Sequence, residues 1–273
     1  MTLWQLRRKT AERLKSISGS SSGFEADQII RFVFPEADFA CLDHTEAAAD
    51  DIARLDEIIS RREAGEPLQY IFGEWDFMGL PFSVMPGVLI PRGDTEILCE
   101  RAISLIRERS YRTVLDLCCG SGCIGISIRK YADADVTCAD IDPDCLRIAR
   151  ENAERNGVSV TFAQGDLFDA VPGCRFDLIC CNPPYLSKAD MASLQKEVRH
   201  EPVLALYGGE DGLDYYRRIS KEFRRYLNQG GAMLLEIGSA QADSVGKMFP
   251  KSELIHDYAG LPRVLTIGGS YLS

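Results

Sequence analysis

The 273-residue sequence is short of positive charge: 31 Lys and Arg face 41 Asp and Glu, a formal net charge of −10. Binding to a nucleic-acid backbone requires clustered cations, so this balance argues against nucleic acid as a direct partner. No apolar run approaches the ~18 residues of a membrane-spanning helix, and the N-terminus lacks the apolar segment of a signal peptide. We therefore expect neither a nucleic acid nor a membrane as partner. The sequence does not give the oligomeric state, for which a monomer is our expectation.

Histidine is scarce, with three residues, whereas there are ten cysteines. The cysteines fall in apolar runs or on predicted helices, and no Cys-x-x-Cys pair is matched by a pair of histidines at zinc-site spacing. We therefore predict no metal site. Thiols that serve as small apolar side chains are typical of a reducing compartment, which favours a cytoplasmic location.

The pattern along the chain divides it into three parts. Residues 1–65 carry apolar residues at helical spacing and are predicted to form a small helical domain, with a basic face around Arg7, Arg8 and Arg13. Residues 66–92 are predicted to be a linker that contains a β-hairpin, because two short apolar arms flank a Gly-containing turn. Residues 93–273 are predicted to form the main domain.

In the main domain, candidate strands alternate with helices, which predicts an α/β fold with a mostly parallel sheet covered on both faces. The last two strands are joined by a loop too short for a parallel crossover, so we predict one antiparallel strand. The predicted strands are Thr113–Leu117, Val136–Ala139, Val158–Ala163, Phe176–Cys181, Ala232–Ile237, Leu254–His256 and Arg263–Ile267.

The most informative stretch is Asn182-Pro183-Pro184-Tyr185, directly after a predicted strand. Two prolines cannot continue a strand, so the chain must turn out of the sheet at the carboxyl end, where open α/β sheets bind ligands. The Asn182 side-chain oxygen and the Pro183 carbonyl could accept both N–H bonds of a planar nitrogen group while the Tyr185 ring stacks on it. The alternative is a surface turn without function.

A second candidate site follows the first strand, where Gly120, Gly122 and Gly125 fit the pattern G-x-G-x-x-G. Such glycines allow a tight turn and let a ligand approach the backbone at a helix N-terminus. The pattern fits a nicotinamide, a flavin or an S-adenosylmethionine site equally well. The predicted cofactor-binding residues of this loop are Cys118, Cys119, Gly120, Ser121 and Gly122.

Acidic residues end the next two strands. Asp140 is predicted to bind ribose hydroxyls, whereas Asp142 before Pro143 is predicted to be a helix N-cap. Asp166 could reach an exocyclic amino group with Leu167 or Phe168 flanking a flat ring, or it could cap the following segment. Together with the Asn182 turn, these features favour a methyltransferase acting on a planar nitrogen over a hydride-transfer enzyme, which has no use for that turn.

At this point the chain resembles the class I S-adenosylmethionine-dependent methyltransferases, and more narrowly the family that methylates a glutamine of peptide chain release factors. The resemblance extends over nearly the whole chain. Its most specific motifs are the linker Gly65-Glu-Pro-Leu-Gln-Tyr70 and the loop Pro86-Gly-Val-Leu-Ile-Pro-Arg92. The other motifs are Asp94-Thr-Glu96, Gly120-Ser-Gly122, Asn182-Pro-Pro-Tyr185, Glu197-Val-Arg199, Gly208-Gly-Glu-Asp-Gly212 and Leu235-Glu-Ile-Gly238.

The resemblance implies a Rossmann-like methyltransferase domain with a seven-stranded sheet, and a helical N-terminal domain that recognises the substrate. It implies methyl transfer from S-adenosylmethionine to N5 of the glutamine in a Gly-Gly-Gln segment of a release factor, with Asn182, Pro183 and Tyr185 as catalytic residues. The cofactor would also contact Asn182, and the whole turn including Pro184 would bind the glutamine.

The sequence departs from that family at three positions. Cys118 replaces the usual first glycine of the loop, from which we expect that this position does not need a positive φ. Gly93 stands where proline is frequent, and Leu167 stands where some members have Trp.

Three alternatives stay open at this level. The same turn serves nucleic-acid methyltransferases acting on adenine N6 or guanine N2, although the net charge weighs against them. The glycine pattern alone would allow a nicotinamide oxidoreductase. A non-catalytic adaptor would have no need for the intact Asn182 turn.

Overall fold

The computed structural model describes residues 1–268 and divides the chain into two compact units. The helical unit comprises Met1–Gly73 and the short segment Gln195–His200. The sheet unit comprises Glu74–Leu194 and the chain from Glu201 onward. In the described part of the chain, no helix is both long and apolar enough to cross a membrane.

The helical unit is built around an apolar core that includes Leu6, Leu14, Ile29 and Ile59. A capping box at Thr2 starts the first helix: the Thr2 hydroxyl accepts the Gln5 N–H, and the Gln5 side chain accepts the Thr2 N–H. Its helices are α1 (Leu3–Ser18), α2 (Ser22–Val33), α3 (Ala49–Glu63) and α4 (Leu68–Phe72).

Two ionic contacts hold the segment Gln195–His200 in the helical unit. The buried Arg62 guanidinium donates to Glu25 at 2.8 Å and to Glu197 at 2.8 Å. The Lys196 ammonium donates to the Glu63 carbonyl at 3.2 Å. Arg62 binds Glu25 through two hydrogen bonds and Glu197 through one, so its guanidinium is held more firmly than in a lone surface contact.

The predicted basic face of the helical unit is largely neutralised within the unit. Arg7 donates to Asp27 at 2.9 Å, and Arg13 donates to Glu63 at 2.7 Å. The prediction considered only α1, whereas both carboxylates come from other helices. Of the three cations predicted, only Arg8 is without an ion pair among the described residues, and it lies over the Trp4 ring at 5.0 Å.

The predicted linker of residues 66–92 is divided between the two units. Leu68 and Ile71 of α4 pack into the helical core, so the first unit extends to Gly73 rather than to residue 65. The hairpin formed by β1 (Glu74–Phe77) and β2 (Leu80–Ser83) belongs to the sheet unit, where Phe77 and Phe82 are buried in the core. Its turn uses Met78 and Gly79, both at positive φ, as a two-residue hairpin turn requires.

The sheet unit contains a seven-stranded sheet in the order β5-β4-β3-β6-β7-β9-β8. All neighbouring strands are parallel except β9, which runs antiparallel to β7 and β8. The predicted fold class is therefore confirmed. The strands are β3 (Thr113–Leu117), β4 (Asp135–Asp140), β5 (Thr161–Gln164), β6 (Phe176–Cys181), β7 (Leu227–Glu236), β8 (Ser252–His256) and β9 (Pro262–Gly268).

Helices cover both faces of this sheet, and alternate strand residues enter two separate cores. Val114 and Leu178 face one core, while Leu115 and Ile179 face the other. The first strand of the α/β pattern and β6 have the predicted bounds, whereas β5 starts three residues later and β7 five residues earlier than predicted. The helices are α5 (Glu96–Arg109), α6 (Cys123–Tyr131), α7 (Pro143–Arg155), α8 (Lys188–Ala192), α9 (Val203–Leu206), α10 (Asp214–Glu222) and α11 (Ala242–Met248).

All ten cysteines are free, and seven of them are buried. Burial raises the pKa of the Cys99 and Cys180 thiols well above its usual value, so these side chains are uncharged apolar groups at neutral pH. Among residues 1–268, no group of three or more His, Cys, Asp or Glu side chains could hold a metal ion.

Candidate active site

A single cavity of the sheet unit brings most of the predicted site residues together at the carboxyl ends of β3, β4, β5 and β6. Its lining includes nine of the twelve predicted residues. The three others are Gly122, which ends the glycine loop, and Pro183 and Tyr185 of the turn. The predicted residues that line the cavity are Cys118, Cys119, Gly120, Ser121, Asp140, Asp166, Leu167, Asn182 and Pro184.

The glycine loop has the shape that close ligand approach requires. Gly122 caps α6 at φ +78°, and a Cβ atom there would lie 2.9 Å from the Ile126 side chain. Gly125 adopts an ordinary φ, but a Cβ would lie 2.5 Å from the Cys138 sulfur on β4. Gly122 is therefore needed for backbone conformation and Gly125 for helix–sheet packing, as the pattern predicts.

Cys118 corrects one prediction, because it adopts φ +63°. The expectation that this position needs no positive φ was wrong. The chain must turn sharply where β3 ends, and the next residue, Cys119, donates its N–H to the Ala139 carbonyl at 3.0 Å. A non-glycine residue in this conformation costs about 1–2 kcal/mol. Leu167, another departure from the family pattern, also has positive φ, at +52°.

Asp140 holds the glycine loop from the end of β4. Its carboxylate accepts the Gly120 N–H at 2.8 Å and the Asp142 N–H at 3.0 Å. Burial raises the pKa of this carboxyl above its usual value, while those backbone N–H groups act in the opposite direction. Each carboxylate oxygen retains a lone pair, so Asp140 can still accept hydroxyl groups of a ligand.

The Asp142 side chain accepts the Asp144 N–H at 2.9 Å and caps α7, with Pro143 in its first turn. The predicted N-cap is confirmed. This use of the Asp142 carboxylate is consistent with Asp140 as the ribose ligand, which stays a prediction.

At the end of β5, Leu167 and Phe168 have different roles. Leu167 lines the cavity, whereas Phe168 is buried and stacks on Tyr226 with ring centroids 4.5 Å apart. Asp166 precedes this short helical turn without capping it, and forms an ion pair with Arg218 at 2.8 Å. Only Leu167 of the two candidates is thus available to flank a flat ring.

The Asn182 turn leaves the sheet where the prolines predict, because β6 ends at Cys181. Asn182 is half-buried, and its Nδ2 atom donates to the Thr95 hydroxyl at 3.4 Å. Asn182 and Pro184 line the cavity, whereas Pro183 and the half-buried Tyr185 do not. Burial raises the pKa of Tyr185 to about 12, so the phenol is protonated at neutral pH.

A glycine-rich loop, residues 208–212, packs against the backbone of the Asn182 turn. A Cβ atom at Gly208 would lie 2.7 Å from the Pro184 carbonyl, and one at Gly212 would overlap the Tyr185 carbonyl. The Gln241 amide donates to that same Tyr185 carbonyl at 2.9 Å. The glycines at the ends of Gly208-Gly-Glu-Asp-Gly212 therefore let the two backbones come together, a role that the motif alone did not reveal.

The loop before α5 supplies a wall of the cavity that sequence reasoning did not assign to the site. Ile90, Arg92 and Thr95 lie in this wall. The buried Glu201 carboxylate holds the loop, since it accepts the Ile90 N–H at 3.2 Å and pairs with Arg92. The sequence signal that could have identified this loop was the family resemblance, in which residues 86–92 form one of the most specific motifs. Further lining residues are Ile141, Pro202, Leu204, Ala205 and Tyr215.

The charged lining of the cavity is mostly acidic. Asp140, Asp142 and Asp166 lie in its wall, and the only lining Arg or Lys in the described chain is Arg92, which is paired with Glu201. Such a wall favours a cationic ligand over a polyanion, because the described residues of the wall offer no unpaired cation to balance phosphate charge.

Comparison with known protein families agrees with this division of the chain. Residues 5–73 match the model of the PrmC N-terminal domain, and residues 95–203 match the model of the methyltransferase small domain. The solved methyltransferase structures are more distant. A methyltransferase from Pyrococcus furiosus is 18% identical with a TM-score of 0.51, and the match covers 81% of this chain and 99% of that one.

The hMettl16 catalytic domain, solved with an RNA hairpin, is 16% identical with a TM-score of 0.53, and the match covers 85% of this chain and 93% of that one. At such identities the likeness to both structures shows the fold alone.

Other proteins are much more similar to this chain in sequence. The release factor glutamine methyltransferase of Geobacter sulfurreducens is 44% identical over 205 residues, which cover 74% of this chain and 72% of that protein. The one from Chlamydia trachomatis serovar L2 is 37% identical over 268 residues, or 95% of this chain and 91% of that protein. The chain therefore belongs to the release factor glutamine methyltransferase family.

Proposed function

We propose that this protein transfers a methyl group from S-adenosylmethionine to the side-chain nitrogen N5 of the glutamine in the Gly-Gly-Gln segment of peptide chain release factors. The observation that carries the proposal is the shared cavity, which is lined both by the glycine loop with Asp140 and by Asn182. A cofactor site and an amide-binding turn thus open onto the same space. Release factors as substrates imply a cytoplasmic location.

The residues present suit S-adenosylmethionine. Gly120 adds no side chain to the part of the loop that lines the cavity, Asp140 would hold the ribose, and Leu167 would flank the adenine. The acidic lining suits a ligand with a sulfonium and an ammonium group better than a dinucleotide with two phosphates. The nicotinamide alternative is disfavoured on this ground.

The chemical difficulty is that an amide nitrogen is a poor nucleophile. No general base lies in the turn, so positioning must supply most of the rate. The Asn182 side-chain oxygen and the Pro183 carbonyl would accept the two amide N–H bonds and stabilise the positive charge that develops on nitrogen. Tyr185 would fix the plane of the amide, and its raised pKa excludes it as a base at neutral pH.

S-adenosylmethionine supplies a methyl group on a positively charged sulfur, which keeps the electron pair of the broken bond while the nitrogen gains the methyl and loses a proton to water. The protein residues hold the nitrogen in line and exclude competing acceptors.

The helical unit is proposed to recognise the release factor, because one glutamine offers too little contact for selectivity. Trp4 of α1 and Phe24 of α2 are 45% and 61% exposed. The double variant Trp4→Ala/Phe24→Ala should raise KM for an intact release factor and leave KM for a short Gly-Gly-Gln peptide unchanged. Tyr258→Ala, at an 83% exposed aromatic of the sheet unit, is the control.

The decisive experiment offers methyl-labelled S-adenosylmethionine with three acceptors: a release factor, the same factor with the Gly-Gly-Gln glutamine replaced by glutamate, and total RNA and DNA. We expect label in the first alone, and none with Asn182→Ala. Label in the nucleic acid would instead support the alternative adenine or guanine methyltransferase.

A further inference from the structure

Glu236 is a buried carboxylate that the proposed mechanism does not use. It is 1% exposed at the end of β7, and its Oε2 atom has no hydrogen-bond partner. No ion pair includes it within residues 1–268, because the nearby guanidinium groups are committed elsewhere: Arg263 to Asp94 and Asp257, and Arg92 to Glu201. Burying an unpaired carboxylate is costly, which makes its presence beside the Asn182 turn informative.

The sheet places Glu236 next to Asn182. Strands β6 and β7 are parallel neighbours in which Cys181 pairs with Leu235, so Asn182 and Glu236 are the next residues on each strand. Thr95 is 2% exposed, and its hydroxyl accepts the Asn182 Nδ2–H bond at 3.4 Å. Thr95 is also close enough to the Glu236 carboxylate to lower the pKa of that carboxyl, so we infer that the Thr95 hydroxyl connects the two side chains.

The direction of these hydrogen bonds depends on the charge of Glu236. An ionised carboxylate can only accept, so the Thr95 hydrogen points to Glu236 and the Thr95 lone pairs face Asn182. Asn182 must then use its NH₂ group towards Thr95, which leaves its carbonyl oxygen for a ligand. A protonated Glu236 can donate to Thr95. Thr95 then donates to the Asn182 side-chain oxygen, so both hydrogen bonds run in the opposite direction and the Asn182 NH₂ group faces the ligand.

We propose that Thr95 and Glu236 are positioning residues, and that ionised Glu236 makes Asn182 present its carbonyl oxygen, not its NH₂ group, to the acceptor amide. This inference rests on the proposed function, since only an acceptor with N–H bonds requires that orientation. An amide side chain is nearly symmetric in shape, so a polar neighbour is needed to select one of its two orientations.

The surroundings of Glu236 place its titration near neutral pH. Burial raises its pKa to about 7, and hydrogen bonding from Thr95 and the positive charges of Arg263 and Arg92 act against that rise. Asp94 adds to the rise, and the phenols of Tyr185 and Tyr216 also lie close to the carboxylate. Acidification through pH 7 should therefore protonate Glu236 and lower the rate of methyl transfer.

The test uses Thr95→Val, which removes the hydroxyl at nearly constant shape, and Thr95→Ser, which restores it. Thr95→Val should lower kcat on a release factor about tenfold, the loss of one hydrogen bond of about 1.4 kcal/mol, with unchanged affinity for S-adenosylmethionine. Thr95→Ser should recover most of the rate. Thr266→Val is the matched control, because Thr266 is 2% exposed on β9 and its hydroxyl has no partner.

The pH profile supplies a second, independent readout. Wild-type kcat should rise with pH along a one-proton limb near pH 7, and Glu236→Gln should show a lower, flat profile. That variant keeps Asp116, whose pKa burial also raises to about 7, so a limb that persists would belong to another group. A persistent limb, or a wild-type kcat in Thr95→Val, would overturn the inference.

The two hypotheses fail differently. If the wild-type protein transfers no methyl group to release factors, the proposed function fails. If Asn182→Ala abolishes transfer while Thr95→Val and Glu236→Gln match the wild type, the proposed function stands and only the positioning role fails.

Discussion

The two ends of the cavity are built by different means. At the end beside Gly120 and Asp140, the shape comes from the backbone: positive φ angles at Cys118 and Gly122, and N–H groups held by one carboxylate. At the end beside Asn182, which we call the acceptor end, it comes from polar side chains: the half-buried Asn182 donates to the buried Thr95 hydroxyl. A binding surface shaped by the backbone suits a cofactor that many enzymes share, whereas hydrogen-bonded side chains can select one acceptor group.

Among the substitutions considered, Asn182→Ala at the acceptor end should lower the methyl-transfer rate the most. Loss of one preorganised polar group typically costs ~10²–10³ in rate. The affinity for S-adenosylmethionine should change little, because the glycine loop and Asp140 are intact. Single-turnover rates and calorimetry on the same preparation measure both quantities, and a wild-type rate would remove Asn182 from the mechanism.

The corresponding change at the cofactor end is Gly122→Ala. A methyl group there must adopt positive φ and also collide with Ile126 and Ala149, which should cost about 2–4 kcal/mol of unfolding free energy. Cofactor affinity should fall with it. Gly157→Ala is the control, because Gly157 has φ +64° in open space and reports the backbone cost alone. Equal losses of unfolding free energy in both variants would show that crowding contributes nothing.

Asp140→Ala should weaken S-adenosylmethionine binding by roughly 1.5–3 kcal/mol, the value of a hydrogen bond to a charged group. Saturating cofactor should restore much of the methyl-transfer rate, unlike in Asn182→Ala. Titration calorimetry measures the loss. A larger loss of affinity in Asp142→Ala would reassign the ribose contact to Asp142.

The smallest effect is expected from Cys118→Gly. Glycine relieves about 1–2 kcal/mol of left-handed strain but costs about 0.5–1 kcal/mol through the greater conformational entropy of the unfolded chain, so a gain of up to about 1.5 kcal/mol in unfolding free energy should remain. Ser110→Gly, at φ +56° away from the cavity, should give a similar gain. A destabilised Cys118→Gly with a stabilised Ser110→Gly would mean that the Cys118 thiol packs productively.

The sequence predicts the structure correctly where one local signal dominates. The prolines fixed the end of β6, alternation of apolar runs gave the sheet, and Pro143 identified Asp142 as an N-cap. It did not suffice where distant residues decide. The strain at Cys118 depends on the bond from Cys119 to Ala139, and Arg7 and Arg13 lost their free charge to carboxylates of other helices.

Thr95 and Glu236 illustrate the same limit at the acceptor end. Neither residue carries a local pattern that points to the Asn182 side chain. The register of β6 and β7 brings Glu236 next to Asn182, whereas Thr95 comes from the turn before α5. The unit boundary moved for a related reason, because the short apolar run from Leu68 to Phe72 could have packed in either core.

The central claim is that the acceptor is a planar side-chain amide held by the Asn182 turn. The most direct measurement is fragment mass spectrometry of a release factor after incubation with the protein and S-adenosylmethionine. We predict one added methyl group, located on the side-chain nitrogen of the Gly-Gly-Gln glutamine, and none with Asn182→Ala. A methyl group on any other atom, or on the same glutamine with Asn182→Ala at the wild-type rate, would contradict the account.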